Sequence, residues 1–142
     1  MDPISGAKVP HCASMNEHCS YVWENFISTK AQNENKCAAS KLAIFAHSAG
    51  GRCIAHMFEK YKTELLQRTQ ALLLIDAYYH AMFKQTWTQQ QLKQIKAIGI
   101  HFKNNKNQLG AQLGTKLKTQ TGSITEVSAG IAEHCKTCPM AG

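Results

Sequence analysis

The chain of 142 residues contains no apolar run of the roughly 18 residues that a membrane-spanning helix needs. Its N-terminal segment also lacks the continuous apolar core of a secretory signal. These two absences argue against a membrane protein and against an exported one, so we predict a soluble intracellular protein with no membrane partner. With 44% hydrophobic residues, a chain of this length can bury one core and is expected to form one domain.

The sequence also lacks any standard zinc-ligand spacing. The pair His11–Cys12 recurs as His18–Cys19, but a seven-residue repeat matches no common zinc motif. Near the C-terminus, Cys135 and Cys138 form a C-x-x-C pair, yet Pro139 follows at once where a redox site would need a helix. Without an export signal, reduced thiols are a better interpretation of the cysteines than disulfides. We therefore predict no bound metal and no cofactor.

Acidic residues are missing from the long stretch between Asp76 and Glu126, which contains seven lysines, as many as the net charge of +7. A basic surface attracts phosphate backbones without reading their sequence, so RNA is a candidate partner. The alternative is a solvated lysine-rich face that binds nothing. The lysines predicted to form this basic surface are Lys93, Lys96, Lys103, Lys106, Lys116 and Lys118.

The order of apolar segments predicts an α/β domain. Residues 1–16 are expected to form an irregular lead-in. Apolar runs predict strands, and apolar stripes of helical period predict helices. The all-apolar run 71–75 is typical of a parallel strand that is covered on both faces. The predicted helices are 17–29, 49–67 and 88–97, and the predicted strands are 42–46, 71–75, 99–102 and 124–128.

These elements favour a partial α/β-hydrolase-like fold, a doubly wound, mostly parallel sheet with flanking helices. Only the segment 1–41 precedes the first predicted strand, and it contains no succession of βα units that would supply the earlier strands of such a sheet. We therefore interpret residues 17–142 as the C-terminal part of an α/β-hydrolase-like domain.

Ser48 follows the first predicted strand in a turn of small residues. An α/β-hydrolase presents its nucleophile in this way, on a strained turn where bulky neighbours would keep the strand and the helix apart. Ala46, Ala49, Gly50 and Gly51 meet that need, although the usual motif has glycine where Ala46 stands. The alternative is an ordinary turn between a strand and a helix, with Ser48 capping the helix.

Acyl chemistry at a serine requires a histidine base and an acid that orients it, and in α/β-hydrolases the chain order is serine, acid, histidine. Ser48, Asp76 and His134 have that order, and each lies near the expected C-terminal end of a strand. The backbone N–H of Ala49 would supply one donor of an oxyanion hole, and the second donor would come from a loop that these residues do not provide.

Other interpretations of these residues stay open. His47 and His80 are rivals for the role of the base, and His101, inside a predicted strand, is expected to serve packing. Asp76 can instead cap a turn, and His134 can instead be a surface residue near the C-terminus.

Five blocks of this sequence occur in the same order in a known family: EHCSYVWENFIS (17–28), AIFAHSAGG (43–51), LLLIDAYYH (72–80), GIHFKNN ahead of QLG (99–110) and VSAGIAEH (127–134). From about Glu17 to Lys136 the chain thus resembles the Argonaute-binding domain family, also called the Arb-two domain, and especially its animal cotranscriptional-regulator branch. The resemblance implies an α/β-hydrolase-like fold in which Ser48, Asp76 and His134 align with the serine, aspartate and histidine blocks of the family.

The resemblance also implies a function, because family members are associated with Argonaute-linked siRNA silencing, heterochromatin and cotranscriptional control of splicing. It implies partners among Argonaute, chromatin or splicing proteins, and a location in the nucleus and cytoplasm. The N-terminal half of the family domain is absent, and Ala49 stands where a bulkier residue is common, so we expect a noncatalytic interaction module. The alternatives are a serine carboxylic-ester hydrolase of the esterase or lipase type, and a pseudo-enzyme that binds an acyl or carbonyl ligand at the turn.

Overall fold

A parallel sheet forms the centre of the part of the chain that the structure describes, with four strands in that part. The computed structural model describes residues 6–104, 112–117 and 124–130. Neighbouring strands in the sheet are also consecutive in the chain, in the order β1-β2-β3-β4. The four predicted strands are therefore confirmed, and the α/β fold with them. The strands are β1 (Leu42–His47), β2 (Thr69–Ile75), β3 (Gly99–Lys103) and β4 (Thr125–Ser128).

Within the described ranges, three α-helices accompany the sheet: α1 (Met15–Val22), α2 (Gly50–Arg68) and α3 (Gln89–Ile98). A π-helical segment, Trp23–Ile27, continues α1, and a short 3-10 helix, His80–Lys84, which the sequence pattern did not predict, precedes α3. Residues 6–14 of the predicted lead-in contain no helix or strand. No helix in the described ranges combines the length and the apolar character needed to cross a membrane.

Side-chain caps set where two of the helices begin. The hydroxyl of Ser14 accepts a hydrogen bond from the Glu17 N–H at 3.1 Å, and the Glu17 carboxylate accepts one from the Ala13 N–H at 2.8 Å. Because these bonds satisfy backbone donors at the first turn, α1 begins at Met15 rather than at the predicted residue 17. A capping box between Thr88 and Gln91 begins α3 in the same way.

The core lies between the helices and one face of the sheet. Phe58 and Leu65 from α2, Leu72 and Leu74 from β2, and Ile95 from α3 are at most 1% exposed. Helices α2 and α3 contact each other as well as the strands, so they cover the same face. This arrangement is the one expected for helices that connect β1 to β2 and β2 to β3, because crossovers between parallel strands are almost always right-handed.

The opposite face of the sheet carries a row of apolar side chains that we call the Phe45 face. Phe45, Leu73 and Ile100 are register partners on β1, β2 and β3. Phe45 is 67% exposed and Ile100 is 38% exposed. The prediction that residues 71–75 are covered on both faces is therefore wrong for Leu73, which is only half-buried, because α2 and α3 both pack on the other face.

Arg68 connects the C-terminal end of α2 to the chain that precedes β1. One guanidinium nitrogen donates to the Ile27 carbonyl and to the Glu64 carboxylate, both at 2.6 Å, and the other donates to the Ala39 carbonyl at 2.7 Å. The arginine is 6% exposed. These bonds fix the connection between α1 and β1 against the end of α2.

Candidate functional site

Ser48 occupies a strained turn at the C-terminal end of β1. Its backbone φ is +49°, in the left-handed region that non-glycine residues rarely adopt. The Ser48 N–H donates to the Ile75 carbonyl at 3.1 Å, and the Ser48 carbonyl accepts from the N–H groups of Gly51 at 3.1 Å and Tyr78 at 3.0 Å. Three backbone hydrogen bonds therefore hold the conformation that the sequence pattern predicted for a nucleophile turn.

Small residues allow the chain to approach itself closely around this serine. A β-carbon added at Gly51 would lie 2.7 Å from the Tyr78 nitrogen and 2.8 Å from the Tyr78 carbonyl carbon, which real β-carbons do not do. One added at Gly50 would meet the Ala46 β-carbon at an ordinary 3.7 Å. The requirement for glycine is thus strict at Gly51 and weak at Gly50.

Asp76 lies at the corresponding end of the neighbouring strand. Its φ is +41°, and its N–H donates to the Phe102 carbonyl at 2.7 Å. Since His47 and Ile75 are register partners, the two residues that follow them, Ser48 and Asp76, lie at adjacent strand ends. The structure therefore brings together the predicted serine and acid. The predicted base, His134, lies outside the described residues.

The remaining predicted members of this site lie close to the turn. Ala49 is the N-cap of α2 and already has helical φ and ψ angles, so its N–H belongs to the first turn after the serine. His47 is the last residue of β1 and is half-buried, whereas His80 is exposed and stacks on Tyr79 with ring centroids 4.6 Å apart. The role of Ala49 in an oxyanion hole stays a prediction.

A buried pair of His101 and Glu126, which the sequence analysis did not identify, lies behind Asp76. The Nε2 of His101 accepts a hydrogen bond from the Ala77 N–H at 3.1 Å, and its Nδ1 lies 3.2 Å from the Glu126 carboxylate. The side chains of His101 and Glu126 are 4% and 7% exposed. A nitrogen that accepts from an N–H carries no proton, so His101 is neutral with its proton on Nδ1.

This pair joins three strands at the edge of the candidate site, since Ala77 follows β2, His101 belongs to β3 and Glu126 to β4. Burial lowers the pKa of His101, while the hydrogen bond and the charge of Glu126 oppose that shift. The expectation that His101 serves packing was therefore incomplete. The available signal was a histidine inside one apolar strand followed by a glutamate inside the next.

The described lysines of the predicted basic surface do not share one environment. Lys93 and Lys96 lie on α3, and Lys116 forms an isolated bridge opposite Val127. The ammonium of Lys103 lies 3.6 Å from the Glu126 carboxylate, so part of its charge is compensated. Lys106 and Lys118 lie outside the described residues.

Thiols and metal ligands add no further candidate in the described ranges. Residues 6–104, 112–117 and 124–130 contain no group of three or more His, Cys, Asp or Glu side chains that could hold a metal ion. Burial, together with the neighbouring Cys53, raises the pKa of the Cys19 thiol to about 11, which makes Cys19 a poor nucleophile. Cys135 and Cys138 lie outside the described residues.

Comparison with known proteins gives a family match and two distant relatives. The model of the Arb2 domain matches residues 1–94. Proteins named "Cotranscriptional regulator ARB2A homolog" from Gallus gallus and Xenopus tropicalis are 27% and 26% identical over 121 residues. Each alignment covers 85% of this chain and 26% of the relative, so the chain spans about a quarter of the length of these curated relatives. No solved structure matches the chain.

Proposed function

Because the chain belongs to the Arb2 domain family, we propose that it is a noncatalytic regulatory module that acts in cotranscriptional control of gene expression in the nucleus. The observation that carries this proposal is the family match over residues 1–94, and the names of the two relatives support it. In finer detail, we propose that the module contacts an Argonaute protein, or a chromatin or splicing protein. These contacts would serve siRNA-linked silencing and heterochromatin. The proposed location includes the cytoplasm as well as the nucleus.

The Phe45 face is the surface that we propose for this protein contact. Large exposed apolar side chains that lie side by side are typical of interaction surfaces. Phe45 and Ile100 flank the half-buried Leu73 in one apolar row, and β1 lies at the edge of the described sheet, where a partner can add a strand. Contact there would leave the candidate serine site, at the strand ends, uncovered.

Binding between purified proteins tests the proposed contact. The tagged chain is incubated with a guide-loaded Argonaute protein, with and without ribonuclease, and the bound fraction is measured at several salt concentrations. We expect Phe45→Asp to abolish binding and Leu113→Asp to preserve it, because Leu113 is 71% exposed but lies outside the sheet. A wild-type chain that fails to bind at every salt concentration would contradict the proposed Argonaute contact.

The proposed RNA contact through the basic surface requires its own test. Lys93 and Lys96 are both on α3, so we compare the Lys93→Gln/Lys96→Gln chain with a Lys8→Gln/Lys30→Gln control that removes the same charge elsewhere. Affinity for a single-stranded RNA is measured against salt concentration. If both α3 lysines contact phosphates, their loss lowers the salt slope by roughly 1.4, and the control leaves it unchanged. Equal slopes in all three proteins would favour the solvated-face alternative.

A second candidate function is serine carboxylic-ester hydrolysis, and the left-handed φ of Ser48 favours it. Backbone strain of this kind concentrates at functional sites, and here a second strained residue, Asp76, lies at the adjacent strand end. In this mechanism Ser48 attacks the ester carbonyl, His134 accepts the serine proton, Asp76 orients the histidine, and the Ala49 N–H stabilises the oxyanion. The third alternative, a pseudo-enzyme, keeps the turn as a binding site for an acyl or carbonyl ligand.

A fluorophosphonate probe separates these functions, because only an activated serine reacts with it at a useful rate. The regulatory-module proposal predicts no labelling of the folded wild-type chain. Labelling that Ser48→Ala abolishes would establish the hydrolase mechanism instead. Cooperative thermal unfolding of a portion of the same sample verifies that the protein given to the probe is folded.

A further inference from the structure

A cleft of about 460 Å³ opens beside the Ser48 turn, between α2 and the segment that follows β2. It adjoins the turn because Tyr78, which lines it, donates its N–H to the Ser48 carbonyl at 3.0 Å. The volume falls within the roughly 300–1,000 Å³ of small-molecule sites. We call it the α2 cleft, and the polar residues that line it include Arg52, His56, Glu59, Tyr78 and His80.

Hydrogen bonds and close packing fix the walls of the α2 cleft. The Gln85 side-chain amide donates to the Ala55 carbonyl of α2 at 2.7 Å. The hydroxyl of Ser20, on α1, lies 3.0 Å from the Nε2 of His56. A site whose walls are already ordered loses less entropy when a ligand binds, so the geometry is suited to binding.

Charge within the α2 cleft is unevenly distributed. The Arg52 guanidinium lies 5.5 Å from the centroid of the Tyr78 ring, a cation–π contact that orients it beside the turn. Glu59 lies two helical turns away, roughly 10 Å along α2, so it does not neutralise Arg52. The end of the cleft at Arg52 therefore offers a guanidinium that lies against the Tyr78 ring, and His80 is a second lining residue that can donate hydrogen bonds.

We infer that the α2 cleft binds a small organic oxyanion, a phosphate ester or a carboxylate, whose anionic group pairs with Arg52 and accepts a hydrogen bond from His80. The planar guanidinium matches the two oxygens of either anion. This site is independent of the Argonaute and RNA contacts proposed above, because it uses neither the Phe45 face nor the lysines of α3.

Titration followed by NMR tests this inference on the full chain. The imidazole signals of His56 and His80 are recorded against glycerol phosphate and against glycerate, with uncharged glycerol as the control and ionic strength held constant with sodium chloride. We expect saturable shifts with at least one of the two anions and none with glycerol. The anion that saturates the shifts shows whether the cleft prefers a phosphate or a carboxylate group.

Matched variants show whether Arg52 carries the binding. Arg52→Gln is expected to weaken anion binding by about tenfold or more. Arg52→Lys is expected to weaken it less, since a lysine keeps the charge but cannot donate the two parallel hydrogen bonds of a guanidinium. Lys30→Gln, which removes one charge from the loop after α1, outside the cleft, is expected to bind as the wild type does. Arg52 is exposed, so these variants should fold, and His80→Gln provides a second test. The inference is wrong if neither anion gives a saturable shift or if Arg52→Gln binds as tightly as the wild type.

Discussion

Replacing Gly51 with alanine tests whether close approach of the chain holds the Ser48 turn. The added β-carbon would lie 2.7 Å from the Tyr78 nitrogen and 2.8 Å from its carbonyl carbon. Neither atom can retreat easily, because the Tyr78 N–H is bonded to the Ser48 carbonyl and the next residue, Tyr79, is fully buried. The substitution must therefore move backbone rather than the flexible end of a side chain.

The cost of the Gly51 substitution can be worked out from two opposing effects. Overpacking of a well-filled site costs about 1–3 kcal/mol, more where backbone must shift, whereas alanine improves on glycine in a helix by up to about 1 kcal/mol. We expect Gly51→Ala to lower the free energy of unfolding by about 1–2 kcal/mol. Gly50→Ala is the matched control, because its β-carbon meets the Ala46 β-carbon at 3.7 Å and should leave stability unchanged or slightly raised.

Urea unfolding of the three proteins at one pH provides the measurement, with the free energy extrapolated to zero denaturant. The expected order of stability is Gly50→Ala at or above the wild type, and Gly51→Ala clearly below both. If Gly51→Ala is as stable as Gly50→Ala, the contact with Tyr78 does not constrain the turn, and the reasoning is refuted.

Three further predictions concern other parts of the structure. In thermal unfolding, Ser48→Gly should be more stable than Ser48→Ala by about 1 kcal/mol, because glycine adopts a φ of +49° without strain. Equal stabilities of the two variants would argue against a strained turn. Burial lowers the pKa of His101, which faces Glu126, Lys103 and Asp76, so the unfolded chain binds more protons than the folded chain below about pH 6.5. The free energy of unfolding of the wild type should therefore fall as the pH drops below that value, and His101→Gln should weaken this dependence. Urea unfolding from pH 8 to pH 5 provides the measurement. Arg68→Met should lower the free energy of unfolding by about 3 kcal/mol. It removes the cation that pairs with Glu64, which keeps its bonds from Ser28 and Thr29, and it takes one donor from each of two carbonyls. Arg52→Met, on the exposed face of the same helix, should change the free energy of unfolding little.

Local sequence determined the secondary structure and the conformation of the turn. Short segments bounded by polar residues and rich in apolar or β-branched side chains predicted the four strands, because such side chains pack well on a pleated surface. The small residues that surround Ser48 predicted a tight turn, and the left-handed φ of that serine confirms it. The adjacency of Ser48 and Asp76 was also predictable, since parallel strands bring their C-terminal ends to one edge of a sheet.

Tertiary structure alone decided which groups from distant parts of the chain meet. An all-apolar run does not reveal which of its faces is covered, so the exposed Phe45 face became visible only once α2 and α3 were seen to pack on the same side. His101 and Glu126 are separated by 25 residues, and only the pairing of β3 with β4 brings their side chains within 3.2 Å. The α2 cleft likewise depends on how α2 packs against the segment after β2. Hydrophobic periodicity reports local burial, whereas such contacts depend on strand order and helix packing, which no short stretch of sequence encodes.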